Sequence, residues 1–140
     1  MSTSLDLPPA AASVRDARHF VVGLLEEWGL DDLVETAALL TSELVTNSVL
    51  HARTSIRVAV ERRDTGVAVA VSDGSGVSPR RRRHSQTATT GRGLDLLEKL
   101  ADSWEVVPEE GGKTLRFVLT SGADPWAAFA ADGAWADAQL

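Results

Sequence analysis

From Ala11 to Trp28 the apolar residues Val14, Ala17, Val21, Leu24, Leu25 and Trp28 recur at helical spacing, which predicts a helix. Gly29 ends it. A second helix is predicted from a cap at Asp31 or Asp32 to about Leu50. Placed at ~100° per residue, its apolar positions cover well over half the circumference, so it should pack on something broad, such as a sheet. Ser55 to Arg62 then alternates, Asp64-Thr65-Gly66 makes a turn, and Val67 to Val71 reads as a near-continuous apolar strand stopping at Ser72-Asp73-Gly74-Ser75-Gly76.

Residues 74 to 90 are polar, basic and without periodicity. A third helix is predicted from Leu94 to about Ala101, a strand from Ser103 to Val107, a turn from Pro108 to Gly112, and a last alternating strand from Lys113 to Thr120. Before the first helix there is room for at most a short strand, Ser4 to Leu7, followed by Pro8-Pro9. The order (β)-α-α-β-β-loop-α-β-β predicts an α/β two-layer sandwich: a mixed, largely antiparallel sheet with three helices on one face. The domain should span residues 1–121, and the Ala-rich tail 122–140, with Trp126, Phe129 and Trp135, reads as a loose helix.

Composition narrows the chemistry. A length of 140 residues fits one domain, and 44% hydrophobic content is enough for a core. With no cysteine, disulfides, thiol nucleophiles and Cys-based zinc sites are excluded. No apolar run approaches the roughly 18 residues of a membrane span, and MSTSLDLPPAAASVRD lacks the features of a signal peptide, so a soluble cytoplasmic protein is expected. The net charge of −6 opposes nucleic-acid binding by the chain as a whole.

Several polar residues interrupt this pattern. Glu43 and Asn47 lie four apart on the second helix, one turn apart on one face, with His51 four further on. An amide oxygen suits Mg²⁺ and a nearby carboxylate can accept a proton. The same pair also fits an ordinary solvated helix face, and His51 a helix C-terminus, where its charge would be favourable. Asp73 ends a buried strand, where a carboxylate can accept from an exocyclic amine; Asp-Gly is equally an ordinary turn dipeptide. Gly91-Arg92-Gly93-Leu94 stands at a helix start, where free N–H groups and a guanidinium suit phosphate, or where a glycine merely starts the helix. The Arg80 to Arg83 run is either a solvated charge run or an attractor for phosphate or an acidic partner. Gly111-Gly112-Lys113-Thr114 is too short for a P-loop and reads as a hairpin turn. His19, His51 and His84 have no metal-binding spacing.

The order of these pieces is more specific than any one of them. E-x-x-x-N on a helix, a strand ending in Asp-Gly, a long loop, Gly-x-Gly at a helix start and Gly-Lys-Thr before the last strand together resemble the GHKL ATP-binding fold of histidine kinases and gyrase-type ATPases, the Bergerat-type fold. SELVTNSVLHA, VSDGSG and GRGLDLLEKLADSWEV look more narrowly like the bacterial anti-sigma-factor serine kinases and related ATPase-domain regulators of actinomycetes. The resemblance covers about residues 4 to 120. It implies ATP and Mg²⁺ as cofactors, with Asn47 as metal ligand and Glu43 as general base toward a protein serine. It implies Asp73 on the adenine amine, supported by Thr114 directly or through water. It places Gly74, Gly76, Gly91, Arg92, Gly93, Leu94 and His51 around the nucleotide, and residues 77 to 90 in a lid.

Two positions depart from the family pattern. Ser75 and Val77 replace glycines of the first glycine box, and Thr89 and Thr90 stand where a basic residue often precedes the second. The resemblance implies an anti-sigma factor with serine kinase activity, an anti-anti-sigma (STAS-type) protein and a sigma factor as partners, and a homodimer. The alternative is an ATP-responsive partner-binding module without phosphotransfer. Neither involves nucleic acid or a membrane directly.

Overall fold

The structure is a computed structural model and describes residues 2–74 and 95–122. Strand β1 (Ser2–Leu7) leads into helix α1 (Ala12–Glu27). A 3-10 turn, Asp31–Leu33, enters helix α2 (Val34–His51). Strands β2 (Ile56–Arg63) and β3 (Gly66–Asp73) follow, then helical residues 95–100 (α3), β4 (Ser103–Glu109) and β5 (Gly112–Thr120).

Each element has a local cause. Helix α1 buries Ser13, Ala17, Val21 and Leu25, one residue every turn, and ends where Gly29 takes a φ of +73°. Helix α2 buries Ala37, Leu40, Thr41, Leu44, Val45 and Ser48, a stripe at i, i+3, i+4 spacing. Its wider apolar reach is explained by α1, which packs alongside it while the stripe meets β2 and β3. The expected helix cap is replaced by the 3-10 turn, and no side chain caps α2.

The sheet order is β1-β2-β3-β5-β4 and every pairing is antiparallel, so the expected mixed character is corrected. β3 and β4 do run parallel, but β5 lies between them. A chain leaving β3 must cross through α3 to reach β4, and a tight hairpin then inserts β5 beside β3. That hairpin turns on Glu110 and Gly111, so β4 continues past Val107 to Glu109. β3 also runs beyond Val71: Asp73 is a paired strand residue, opposite Ile56 on one side and Lys113 on the other.

The two faces of the sheet differ. Inward residues Ile56, Val58, Val60, Val67, Val69, Val71, Leu115, Phe117 and Leu119 form one core with Leu25, Leu33, Leu40, Leu97 and Leu100 from the helices. Full burial of each large side chain contributes roughly 1.5–3 kcal/mol. The outward face is polar. Arg57 binds Asp6 through two bonds of 2.8 and 3.2 Å, and Arg116 binds Glu105 at 3.1 Å. Among the described residues no helix is long and apolar enough to cross a membrane. The expected lid 77–90 lies outside the described residues, as does the tail beyond Gly122.

Candidate functional site

Alternation puts Asp73 on the inward face, at the last position of β3 and beneath α2. Its side chain is only 2% exposed, and its partners come from two further elements. Ser48 of α2 donates its hydroxyl to Oδ2 at 2.6 Å. Lys113, facing Asp73 across the β3–β5 ladder, donates from Nζ to Oδ1 at 3.1 Å and Oδ2 at 3.2 Å. A carboxylate, an ammonium and a hydroxyl thus meet where α2, β3 and β5 converge.

The backbone around this carboxylate is shaped by neighbouring residues. The N–H of Gly74 donates to the Thr54 hydroxyl at 2.7 Å, which ties the exit of β3 to the link between α2 and β2. Any Cβ at Gly112 would collide with the Asp73 carbonyl, so only glycine lets β5 begin this close to β3.

Glu43, Asn47 and His51 are all half-buried on one flank of α2. They run along the margin of the buried stripe rather than facing solvent or the sheet. Asn47 immediately precedes Ser48, so the helix that carries the Glu43–Asn47 pair is the one bonded to Asp73. His51 is the last residue of α2.

Thr114 lies on the opposite face of β5 from Lys113. One residue beyond Lys113 in a strand, it faces outward, away from Asp73. Its hydroxyl donates to Glu109 Oε1 at 2.7 Å and lies 2.7 Å from the Ser72 hydroxyl, which is therefore the donor of that second bond. The β5 side chain that reaches Asp73 is that of Lys113. Gly76, Gly91, Arg92, Gly93 and Leu94 lie outside the described residues.

A shallow cavity of about 510 Å³ borders Asp6, Arg57, Ser72, Asp73, Gly74 and Glu109. Asp6, Arg57 and Ser72 form one outward cross-strand row, so this cavity opens on the face away from the helices.

Sequence reasoning missed Ser48 and Lys113. Both had a signal. Ser48 falls four residues after Leu44 and three after Val45, inside the buried stripe. Lys113 falls two before Leu115 and four before Phe117, at an inward position of an alternating strand. A charged residue at such a position needs a buried partner.

The family described as histidine kinase-like ATPase domain matches residues 7–119, which run from the last residue of β1 into β5 and include Glu43, Asn47, Ser48, His51, Asp73 and Lys113. No curated protein matches the chain.

Proposed function

This chain belongs to the histidine kinase-like ATPase domain family, and from that premise we propose that it is an ATP-binding regulator of the anti-sigma-factor type that phosphorylates a serine of an anti-anti-sigma partner. Domains of this family bind ATP, typically with Mg²⁺. The observation that carries the reading is Asp73: a carboxylate buried at the end of a central strand, with Gly74 beyond it and the Glu43–Asn47 helix bonded directly to it through Ser48.

The donor set fits the nucleotide. Asp73 supplies an acceptor for the adenine amine, and the close β3–β5 approach at Gly112 keeps the backbone there free of a side chain. Asn47 offers a neutral oxygen for Mg²⁺, which takes its other ligands from phosphates and water. Among the described residues no three His, Asp or Glu side chains form a metal cluster. The ion neutralises phosphate charge when bound.

Phosphotransfer needs a base for the incoming hydroxyl. Glu43, on the same flank as Asn47 and one turn earlier, would accept the serine proton in this reading. The serine oxygen bonds to the γ-phosphorus, the bond from that phosphorus to the β–γ bridging oxygen breaks, and ADP leaves with the electron pair. The departures at Ser75 and Val77 favour a second reading, in which the nucleotide only gates partner binding and no phosphate moves.

Calorimetric titration with ATP and Mg²⁺ tests the first step. Binding that is lost in Asp73→Asn supports the nucleotide reading, and no binding by the wild-type chain removes it. Incubation with γ-labelled ATP and candidate partner proteins then separates the two regulatory readings.

A further inference from the structure

We propose that Lys113 is a base-reading residue of the nucleotide site, forming with Asp73 a donor–acceptor pair that holds a purine by its exocyclic amine and by a ring nitrogen beside that amine. This rests on the nucleotide reading above and adds a residue and a specificity that it does not include.

The placement of Lys113 calls for a reason. It is an inward residue of β5, in line with Leu115, Phe117 and Leu119, and its side chain is 9% exposed. A lysine is rarely buried unless paired, and a buried ion pair adds little net stability over apolar residues of similar size. The hairpin does not need it either, since the turn is made by Glu110 and Gly111. What the residue does supply is a cation against the one buried carboxylate at the end of β3.

The chemistry of the pair matches one edge of an aminopurine. An ionised carboxylate only accepts and an ammonium only donates. Adenine presents an amine that donates, flanked by ring nitrogens that accept. Ser48 anchors Oδ2 by the shortest bond of the cluster, 2.6 Å, while the Lys113 bonds are longer, at 3.1 and 3.2 Å. The exchange therefore falls on Lys113. The base's amine takes over one of its bonds to Asp73, and the released N–H turns onto the ring nitrogen. Asp73 keeps its hydrogen bonds throughout, so binding requires no uncompensated buried charge. Guanine in the same pose would set a carbonyl against the carboxylate, an unpaired contact that the site rejects.

The test uses calorimetry on the full chain with ATP, with purine riboside triphosphate, which lacks the amine, and with 1-deaza-ATP and 7-deaza-ATP, which each lack one flanking nitrogen. Wild type should bind one of the two deaza analogues about tenfold or more weaker than ATP, the range of a charge-assisted hydrogen bond. Lys113→Met should bind ATP weaker by a similar factor and treat ATP and that analogue alike. Lys113→Arg, which keeps a donor, should still distinguish them. The proposal is overturned if wild type binds both deaza analogues as tightly as ATP, a comparison that needs no variant to fold. It is also overturned if Lys113→Met, folded by its thermal transition, keeps the wild-type ratio. In both cases weaker binding of purine riboside triphosphate leaves the nucleotide reading standing. Absence of ATP binding by the wild type overturns the two together.

Discussion

Lys113 and Asp73 are cross-strand partners, and the lysine ammonium reaches both oxygens of the carboxylate, at 3.1 and 3.2 Å, in a place almost closed to water. Ser48 completes the arrangement from above, at 2.6 Å. One end of the sheet and the helix that covers it are thereby joined through a single carboxylate.

Removing one member should be costly and removing both should not. Lys113→Ala leaves a buried carboxylate without its cation, a change that typically costs about 3–5 kcal/mol. The double variant Lys113→Met with Asp73→Leu should recover most of that loss, because two apolar side chains can fill the space of the pair. Urea unfolding of the single and double variants reads both numbers. A single variant within about 0.5 kcal/mol of wild type would mean that the pair does not hold this end of the sheet.

The start of β5 makes a sharper prediction. Gly112→Ala should shift the β3–β5 ladder, because its Cβ meets the Asp73 carbonyl, which is backbone and cannot rotate away. Gly111 has open space for a Cβ but a φ of +76°, so Gly111→Ala should cost only about 1 kcal/mol of backbone strain. Gly112→Ala should exceed that cost and also weaken ATP binding, whereas Gly111→Ala should leave binding unchanged. Thermal melts and ATP titrations of the two variants give the comparison, and equal effects would contradict it.

The contrast between these two glycines also shows what a sequence conveys. Periodicity reveals which residues of one element point the same way, and so the buried stripe of α1 and the alternation of β2 and β5 were legible, as was the continuous apolar run of β3. Gly29 was legible as a stop because a positive φ is a local property. The Asp73–Lys113–Ser48 cluster was not, because it depends on β5 lying beside β3 rather than beyond β4, and on the register that sets Lys113 opposite Asp73. The same register turned Thr114 outward. That Glu43 and Asn47 share one flank was legible because their spacing lies within one helix.

Asp32 is a second case in which a tertiary contact displaced a local one. Expected as a helix cap, it instead accepts from the Gly122 N–H at 2.9 Å and from the Ser121 hydroxyl at 3.0 and 3.1 Å, joining the helical hairpin to the end of β5. The Gly122 N–H foremost, with the Ser121 hydroxyl, holds its carboxyl below the ordinary 3.8. A carboxyl depressed in the folded state stabilises the fold above its unfolded value and loses that contribution as pH falls through its folded value. Asp32→Ala should therefore lower stability at pH 7, by less than about 1 kcal/mol because the site is exposed. The gap between variant and wild type should shrink as the pH drops below 3.8. Unfolding curves at pH 7 and at successively lower pH check the sign, and a gap that widens in acid would reverse it.

Glu43 and Asn47 share a flank of α2 but are assigned different tasks, and two substitutions can separate them. Glu43→Gln keeps the size and half-buried position of the side chain while removing its basicity. If Glu43 accepts the serine proton, this variant should bind Mg²⁺–ATP as the wild type does and transfer phosphate about 10²–10⁴-fold more slowly, the usual share of a general base. Asn47→Ala should instead remove the dependence of ATP binding on Mg²⁺, because the ion loses its only proposed protein ligand. Single-turnover transfer from γ-labelled ATP to the partner measures the first effect, and titrations with and without Mg²⁺ measure the second. If Glu43→Gln transfers phosphate at the wild-type rate, Glu43 is not the base. If no partner is phosphorylated by the wild type while binding remains Mg²⁺-dependent, the reading as a nucleotide-gated docking module without phosphotransfer is favoured.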